Sequence, residues 1–117
     1  MKGVVAILML TVVTPCAASD PACDGINNWA AAMTFTHLKN AGITDNDKID
    51  FARTKVQRLA SEKIGADLYH QIHLVTYVEK SGKEIEAITS NNASSEECSM
   101  SGVKIYVINN KLGDESA

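Results

Sequence analysis

The pattern of apolar and polar residues is most regular between Leu68 and Thr89. Residues 68–78 are rich in β-branched and aromatic side chains, and residues 84–89 alternate charged with apolar side chains. A short segment that contains Gly82 separates the two runs. This composition and spacing predict a β-hairpin, around which the rest of the chain is organised.

The turn of this hairpin is assigned from charge. A two-residue loop at Ser81 and Gly82 would place Lys80 opposite Lys83, and like charges directly opposite each other destabilise a sheet. A three-residue loop that begins at Lys80 instead places Glu79 opposite Lys83. It also puts Gly82 where a left-handed backbone is required. We therefore predict the three-residue loop.

This register divides the hairpin into two faces. The side chains of the predicted core face are Val75, Tyr77, Ile85 and Ala87. The side chains of the predicted wetter face are Thr76, Val78, Glu84 and Glu86, together with Leu74 and Ile88. Because the last two are apolar, part of the wetter face is expected to be covered.

Helical spacing is found nearer the amino terminus, from Asp24 to Ala41. The residues that recur with this period are Ile26, Trp29, Ala30, Met33 and His37. Asp20 or Asp24 is expected to cap the helix, and Gly42 to end it. Trp29, the only tryptophan, is predicted to anchor the helix on the sheet.

The stretch from Lys48 to Lys63 has two interpretations. Residues 44–47 resemble a helix start, apolar residues then fall on one helical face, and Gly65 would end the helix. We therefore predict a second helix. A strand paired with the hairpin is the alternative, because residues 54–59 have no strong helical preference.

Polar residues dominate after the hairpin. Residues 90–102 are predicted to form a loop, and Val103 to Ile108 a last strand. The tail from Asn109 is expected to fray. Together these elements predict an α+β fold with one or two N-terminal helices packed on an antiparallel sheet of three or four strands.

The amino terminus carries the marks of a secretory signal peptide. Lys2 precedes an apolar run that is shorter than the about 20 residues needed to cross a bilayer, and small residues follow it. We predict a signal peptide over residues 1–18 and one domain over residues 19–117. A lipid anchor on Cys16 is disfavoured because Pro15 precedes it. The expected location is periplasmic or secreted.

Charge narrows the class of partner. The net charge of −3 becomes −4 when the signal peptide, which contains Lys2, is removed. A mildly acidic chain without a basic stripe is a poor nucleic-acid binder. The mature chain has no long apolar segment, so we expect no membrane association after signal removal.

Two cysteines remain in the mature chain, Cys23 and Cys98. A pair of cysteines in an exported chain predicts one disulfide. Two free thiols, or a redox pair, are the alternatives. A redox pair is disfavoured because the chain has no Cys-x-x-Cys motif.

The candidate chemistry is sparse. His70 and His73 are three residues apart, so on a strand their side chains point to opposite faces and cannot share one metal ion. No nucleophile motif of the Gly-x-Ser-x-Gly type and no phosphate-binding glycine loop is present. We predict no catalytic residues, no metal and no cofactor.

The sequence indicates a surface for contact with a partner more strongly than a catalytic or metal site. Glu96 and Glu97 lie beside Cys98 in a polar loop that the disulfide would hold in place, and Trp29 is a further candidate contact residue. The alternative is that the loop only closes the domain.

Four stretches carry a resemblance to other proteins: Glu62-Lys63-Ile64-Gly65, Asp67-Leu68-Tyr69, Gln71-Ile72-His73 and residues 93–99. Over roughly residues 62–108 the chain resembles a group of small exported bacterial proteins of unassigned activity. This resemblance brings no catalytic residues. The order of helix and sheet is also similar to that of cystatin-like domains, although no inhibitor motif is present.

Together these observations predict a non-catalytic, exported binding module of the inhibitor or immunity type, whose partner is another exported protein. The alternative is a small periplasmic hydrolase or metal-binding protein that uses His70 or His73.

Overall fold

The computed structural model describes Gly3 and residues 20–108. Apart from Gly3, the predicted signal peptide lies outside the described residues, as does the tail from Asn109 that is predicted to fray. The described part contains one α-helix, one short 3-10 helix and one four-stranded antiparallel sheet. The predicted α+β fold is confirmed.

The elements follow one another simply along the chain. They are α1 (Trp29–Asn40), the 3-10 helix (Phe51–Arg53), β1 (Lys55–Gly65), β2 (Leu68–Val78), β3 (Glu84–Ala93) and β4 (Lys104–Ile108). Each strand pairs with its neighbour in sequence, so the sheet is a meander with β1 and β4 at its edges. Helix α1 packs on one face, called the covered face; the opposite face is called the open face.

The central hairpin has the predicted register. The backbone N–H of Glu79 donates to the Lys83 carbonyl at 2.8 Å, and the N–H of Gly82 donates to the Glu79 carbonyl at 2.8 Å. Gly82 has a φ of 94°, in the left-handed region. Tyr77 pairs with Ile85, as the three-residue loop requires.

The core lies between α1 and the middle of the covered face. Ala31 and Leu38 of the helix pack there against sheet residues, and all four residues of the predicted core face are buried. Val78, predicted on the wetter face, is only 3% exposed. The wet environment predicted for Val78 is therefore wrong. The segment before β1 runs beside this end of β2, where the Asp50 N–H donates to the Val78 carbonyl.

Helix α1 is shorter than predicted. Its N-cap is Asn28, whose Oδ1 accepts from the Ala31 N–H at 2.9 Å, so neither Asp20 nor Asp24 caps it. Asn is among the best N-cap residues, which explains the start at this point. The end is as predicted, since Gly42 follows the last turn with a φ of 73°.

The predicted helix over residues 48–63 is wrong. Residues 55–65 form β1, which pairs with β2 along its length, with irregularities after Arg58 and Lys63. Residues 44–47 do not start a helix but lead to Ile49, which bridges Glu79 and is buried. An open edge of β2 would leave a row of backbone groups unpaired, and pairing with β1 satisfies them.

The loop predicted over residues 90–102 begins later. Strand β3 continues through Ala93, because its polar residues remain paired with β2, and the β3–β4 loop occupies residues 94–103. The last strand begins at Lys104, one residue later than predicted. Within the described residues, no helix combines the length and apolar character that crossing a membrane requires.

Candidate functional site

Three chain segments meet at one end of the sheet, which we call the disulfide end. They are residues 20–24, the β1–β2 turn at Ala66 and Asp67, and the β3–β4 loop. The predicted disulfide between Cys23 and Cys98 is present, with Cα atoms 5.7 Å apart, and it joins the first of these segments to the third.

The first segment is also held on the sheet through Pro21. The buried Pro21 carbonyl accepts from the Arg58 guanidinium at 2.9 Å and from the Gln71 side-chain amide at 3.0 Å. Gln71 is fully buried, and its amide also donates to the Ser61 hydroxyl at 3.1 Å. Residues of β1 and β2 therefore fix the position of the amino-terminal segment.

The β3–β4 loop has its own hydrogen bonds. The Ser94 hydroxyl accepts from the backbone N–H groups of Glu96 and Glu97, at 3.3 and 3.1 Å. The Asn91 side chain donates to the Cys98 carbonyl at 2.9 Å. A loop with this many internal bonds loses less conformational freedom on binding than an unsupported one.

The turn and the loop are joined by Asp67. Its carboxylate accepts from the Ser95 hydroxyl at 2.7 Å and from the Ser95 backbone N–H at 3.1 Å. These two bonds favour the charged carboxylate, and they lower the pKa of Asp67. The β1–β2 turn is thus tied to the loop through an exposed side chain.

The predicted contact residues lie around this loop. Glu96 and Glu97 are both exposed, and the Glu97 carboxylate accepts from the Ser99 hydroxyl at 2.7 Å. Trp29 is 37% exposed, and its indole N–H donates to the Ser101 carbonyl at 3.2 Å, which ties the start of α1 to the loop.

Sequence reasoning missed the residues that organise this end. No local pattern identifies Pro21, Arg58, Asp67 or Ser95, because each forms its hydrogen bond with a residue 28 or more positions away.

The two neighbouring histidines lie on opposite faces, as predicted from their spacing. His73 is fully buried on the covered face, and within the described residues neither ring nitrogen has a hydrogen-bond partner. Burial lowers the pKa of His73; nearby Arg58 acts in the same direction and Asp24 opposes it. Among the described residues, no three His, Cys, Asp or Glu side chains form a metal-binding group.

His70 belongs to a second cluster, on the open face. It lies directly opposite Asn92, and its Nδ1 is 2.8 Å from the Asn92 Oδ1. Its Nε2 is 3.0 Å from the Oγ of Ser90, two residues earlier on β3. All three side chains are half-buried and line an open cavity of about 450 Å³.

This second cluster was within reach of the sequence. The predicted hairpin register, extended by a few residues, already places His70 opposite Asn92. The polar composition of residues 90–93 nevertheless favours a loop, which conceals the cluster.

The chain matches no protein-family model, no curated protein and no solved structure.

Proposed function

We propose that the protein is an exported binding module of the inhibitor or immunity type, and that the disulfide end contacts its partner. One observation carries this proposal: a disulfide and side-chain hydrogen bonds hold three distant segments together, while the tips of the turn and the loop remain exposed. Such preorganisation reduces the entropy that binding costs.

The same bond supports the proposed location. A disulfide between Cys23 and Cys98 persists in oxidising compartments, which supports the periplasm or the exterior of the cell. The amino-terminal pattern of Lys2, an apolar run and small residues supports export independently.

The chemistry of the disulfide end favours a partner with a basic surface. Asp67, Glu96 and Glu97 are acidic and exposed there. Exposed Ile64 and Met100, at 49% and 46%, add apolar area at the end of β1 and in the loop. Acidic groups steer association with a basic partner, and apolar side chains supply contact area.

The first test identifies the partner. The mature protein, immobilised with its disulfide intact, is exposed to periplasmic or secreted extract, and a stoichiometric exported protein is expected. The recovered protein is then purified, and its dissociation constant and its activity are measured with and without the module.

The second test locates the surface. Charge reversal by Glu96→Lys with Glu97→Lys is expected to weaken binding about tenfold or more. The matched control, Glu84→Lys with Glu86→Lys, reverses two charges at the opposite end of β3 and is expected to leave affinity within about twofold. Equal affinity for both double variants would rule out the disulfide end as the contact surface.

A further inference from the structure

Three side chains are arranged in space as nucleophilic catalysis requires: the nucleophile Ser90, the base His70 and the orienting group Asn92. The serine hydroxyl reaches one nitrogen of the imidazole at 3.0 Å, and the other nitrogen reaches a side-chain oxygen at 2.8 Å. A nucleophile within hydrogen-bond reach of a base, with that base oriented by a third group, is the general arrangement of covalent catalysis.

The direction of each hydrogen bond follows from the third group. An amide oxygen accepts but cannot donate, so the Asn92 Oδ1 requires the proton of His70 to sit on Nδ1. The Nε2 of the neutral ring then carries a lone pair, and the Ser90 hydroxyl donates to it. The cluster therefore holds the imidazole in the tautomer that can take a proton from Ser90.

Neighbouring backbone bonds hold this geometry in place. The Asn92 N–H donates to the Ser101 hydroxyl at 2.8 Å, and the Asn92 carbonyl accepts from the Met100 N–H at 3.1 Å. His70 and Ser90 stand on two strands paired along their full length. A site on rigid, paired strands keeps its groups aligned better than one on a free loop.

The same cavity also has a basic residue in its lining. Lys104 lines it and lies directly opposite Ser90 in the pairing of β3 with β4. An ammonium group beside a nucleophile can stabilise the negative charge that develops on a carbonyl oxygen under attack.

From these contacts we infer that Ser90, His70, Asn92 and Lys104 form a site for acyl transfer from carboxylic esters, with water as the final acceptor. Ser90 is the nucleophile, His70 the general base and acid, and Asn92 a positioning residue. This activity goes beyond the proposed binding function and uses the open face of the sheet.

The reaction balances in two steps. The Ser90 Oγ bonds to the ester carbonyl carbon while its proton passes to the His70 Nε2; the bond to the alkoxy oxygen then breaks, and the leaving alcohol takes that proton. Water next adds to the acyl group and gives a proton to Nε2, the bond to Oγ breaks, and Ser90 recovers its proton. The products are a carboxylic acid and an alcohol.

The test uses the mature, disulfide-bonded protein and an alkyl fluorophosphonate, which bonds to activated serines with loss of fluoride. Intact mass and peptide mapping are expected to show one adduct, on Ser90. Hydrolysis of p-nitrophenyl acetate provides a second readout. Near-UV circular dichroism of each variant establishes that its fold is intact.

Four variants define the roles. Ser90→Ala is expected to abolish the adduct, and His70→Gln, which keeps a polar side chain opposite Asn92, to slow labelling at least about 100-fold. Asn92→Ala is expected to slow labelling, and Asn92→Asp, which restores an acceptor oxygen, to recover it. The matched control is Ser81→Ala, an exposed serine in the β2–β3 turn, which is expected to label at the wild-type rate.

Two outcomes would overturn the inference. One is a folded wild-type protein that acquires no adduct on Ser90. The other is labelling of Ser90 at the same rate in His70→Gln as in the wild type, because the hydroxyl would then be no more reactive with its base than without it. Either result would leave the binding proposal untouched, since that proposal is tested by charge reversal at the disulfide end.

Discussion

At the scale of single residues, buried polar groups on the covered face distinguish this domain from one with an apolar core throughout. Gln71, His73, Thr89 and Asn91 are buried along neighbouring strands. Gln71 and Asn91 use their amide groups to hold Pro21 and the Cys98 carbonyl. This end of the covered face therefore serves to attach the disulfide end and contributes less apolar packing.

His73 is expected to make stability depend on pH. Its folded-state pKa lies below the ordinary value of 6.5, with burial as the largest cause. The unfolded chain therefore takes up the proton first as the pH falls. The free energy of unfolding should decrease as the pH falls below about 6.5, and the decrease should end once the folded-state pKa is passed.

Urea denaturation at pH 7.5 and pH 5.0 checks this prediction. His73→Leu removes the titrating group and should reduce the difference between the two pH values. His37→Gln alters an exposed histidine and should leave the difference as in the wild type. An unchanged difference in His73→Leu would contradict the assignment to His73.

The Tyr77 hydroxyl joins the sheet to the helix. It is buried and donates to the Ala31 carbonyl at 2.8 Å, and burial raises the pKa of Tyr77 to about 12. Tyr77→Phe should lower the free energy of unfolding by about 1 kcal/mol, the usual net contribution of such a bond. Tyr106→Phe, at a site 60% exposed, should change it by less than about 0.5 kcal/mol. Equal effects in urea denaturation would contradict this account.

At the scale of elements, the β2–β3 hairpin depends on local sequence and β1 does not. Opposite charges on Glu79 and Lys83 face each other across the turn, with side-chain atoms 3.9 Å apart. Strand β1 has few buried residues and charged groups along its length, so its own sequence provides little preference for a strand. Pairing with β2 decides its conformation.

Gly82 offers a direct test of turn geometry. Its φ of 94° is costly for a residue with a Cβ atom, although nothing lies within 4 Å of where that atom would be. Gly82→Ala should therefore destabilise the protein by about 1 kcal/mol through backbone strain alone. Gly25→Ala is a matched control, since its surroundings are equally open and its φ is outside the left-handed region. Thermal unfolding should show a lower midpoint for Gly82→Ala only.

At the scale of the whole molecule, the disulfide closes a loop of 75 residues between the segment of residues 20–24 and the β3–β4 loop. It limits the conformations available to the unfolded chain and keeps the disulfide end assembled. Stability and the proposed contact surface thus depend on the same bond.

Removal of the disulfide is expected to be the most damaging of these changes. Cys23→Ser with Cys98→Ser should lower the free energy of unfolding by about 4 kcal/mol, the value for a loop of this length in the chain-entropy treatment. Reduced and alkylated wild-type protein should lose a similar amount. A loss below about 1 kcal/mol in both would show that the bond constrains the unfolded chain far less than loop closure implies.

The sequence by itself determined the features that depend on neighbouring residues and simple chemistry. Charge opposition and Gly82 determined the hairpin register. The two cysteines after residue 18 determined the disulfide, and odd spacing placed His70 and His73 on opposite faces. Each of these follows from local geometry or from a choice among very few partners.

Only the tertiary structure decided where the long-range contacts fall. Residues 55–65 form a strand because their backbone pairs with β2. Strand β3 extends to Ala93 because its polar residues remain paired with β2. That extension brought Ser90 and Asn92 to His70. Local preference in these segments is weak, so the backbone pairing of the whole sheet, which no single segment contains, determines the result.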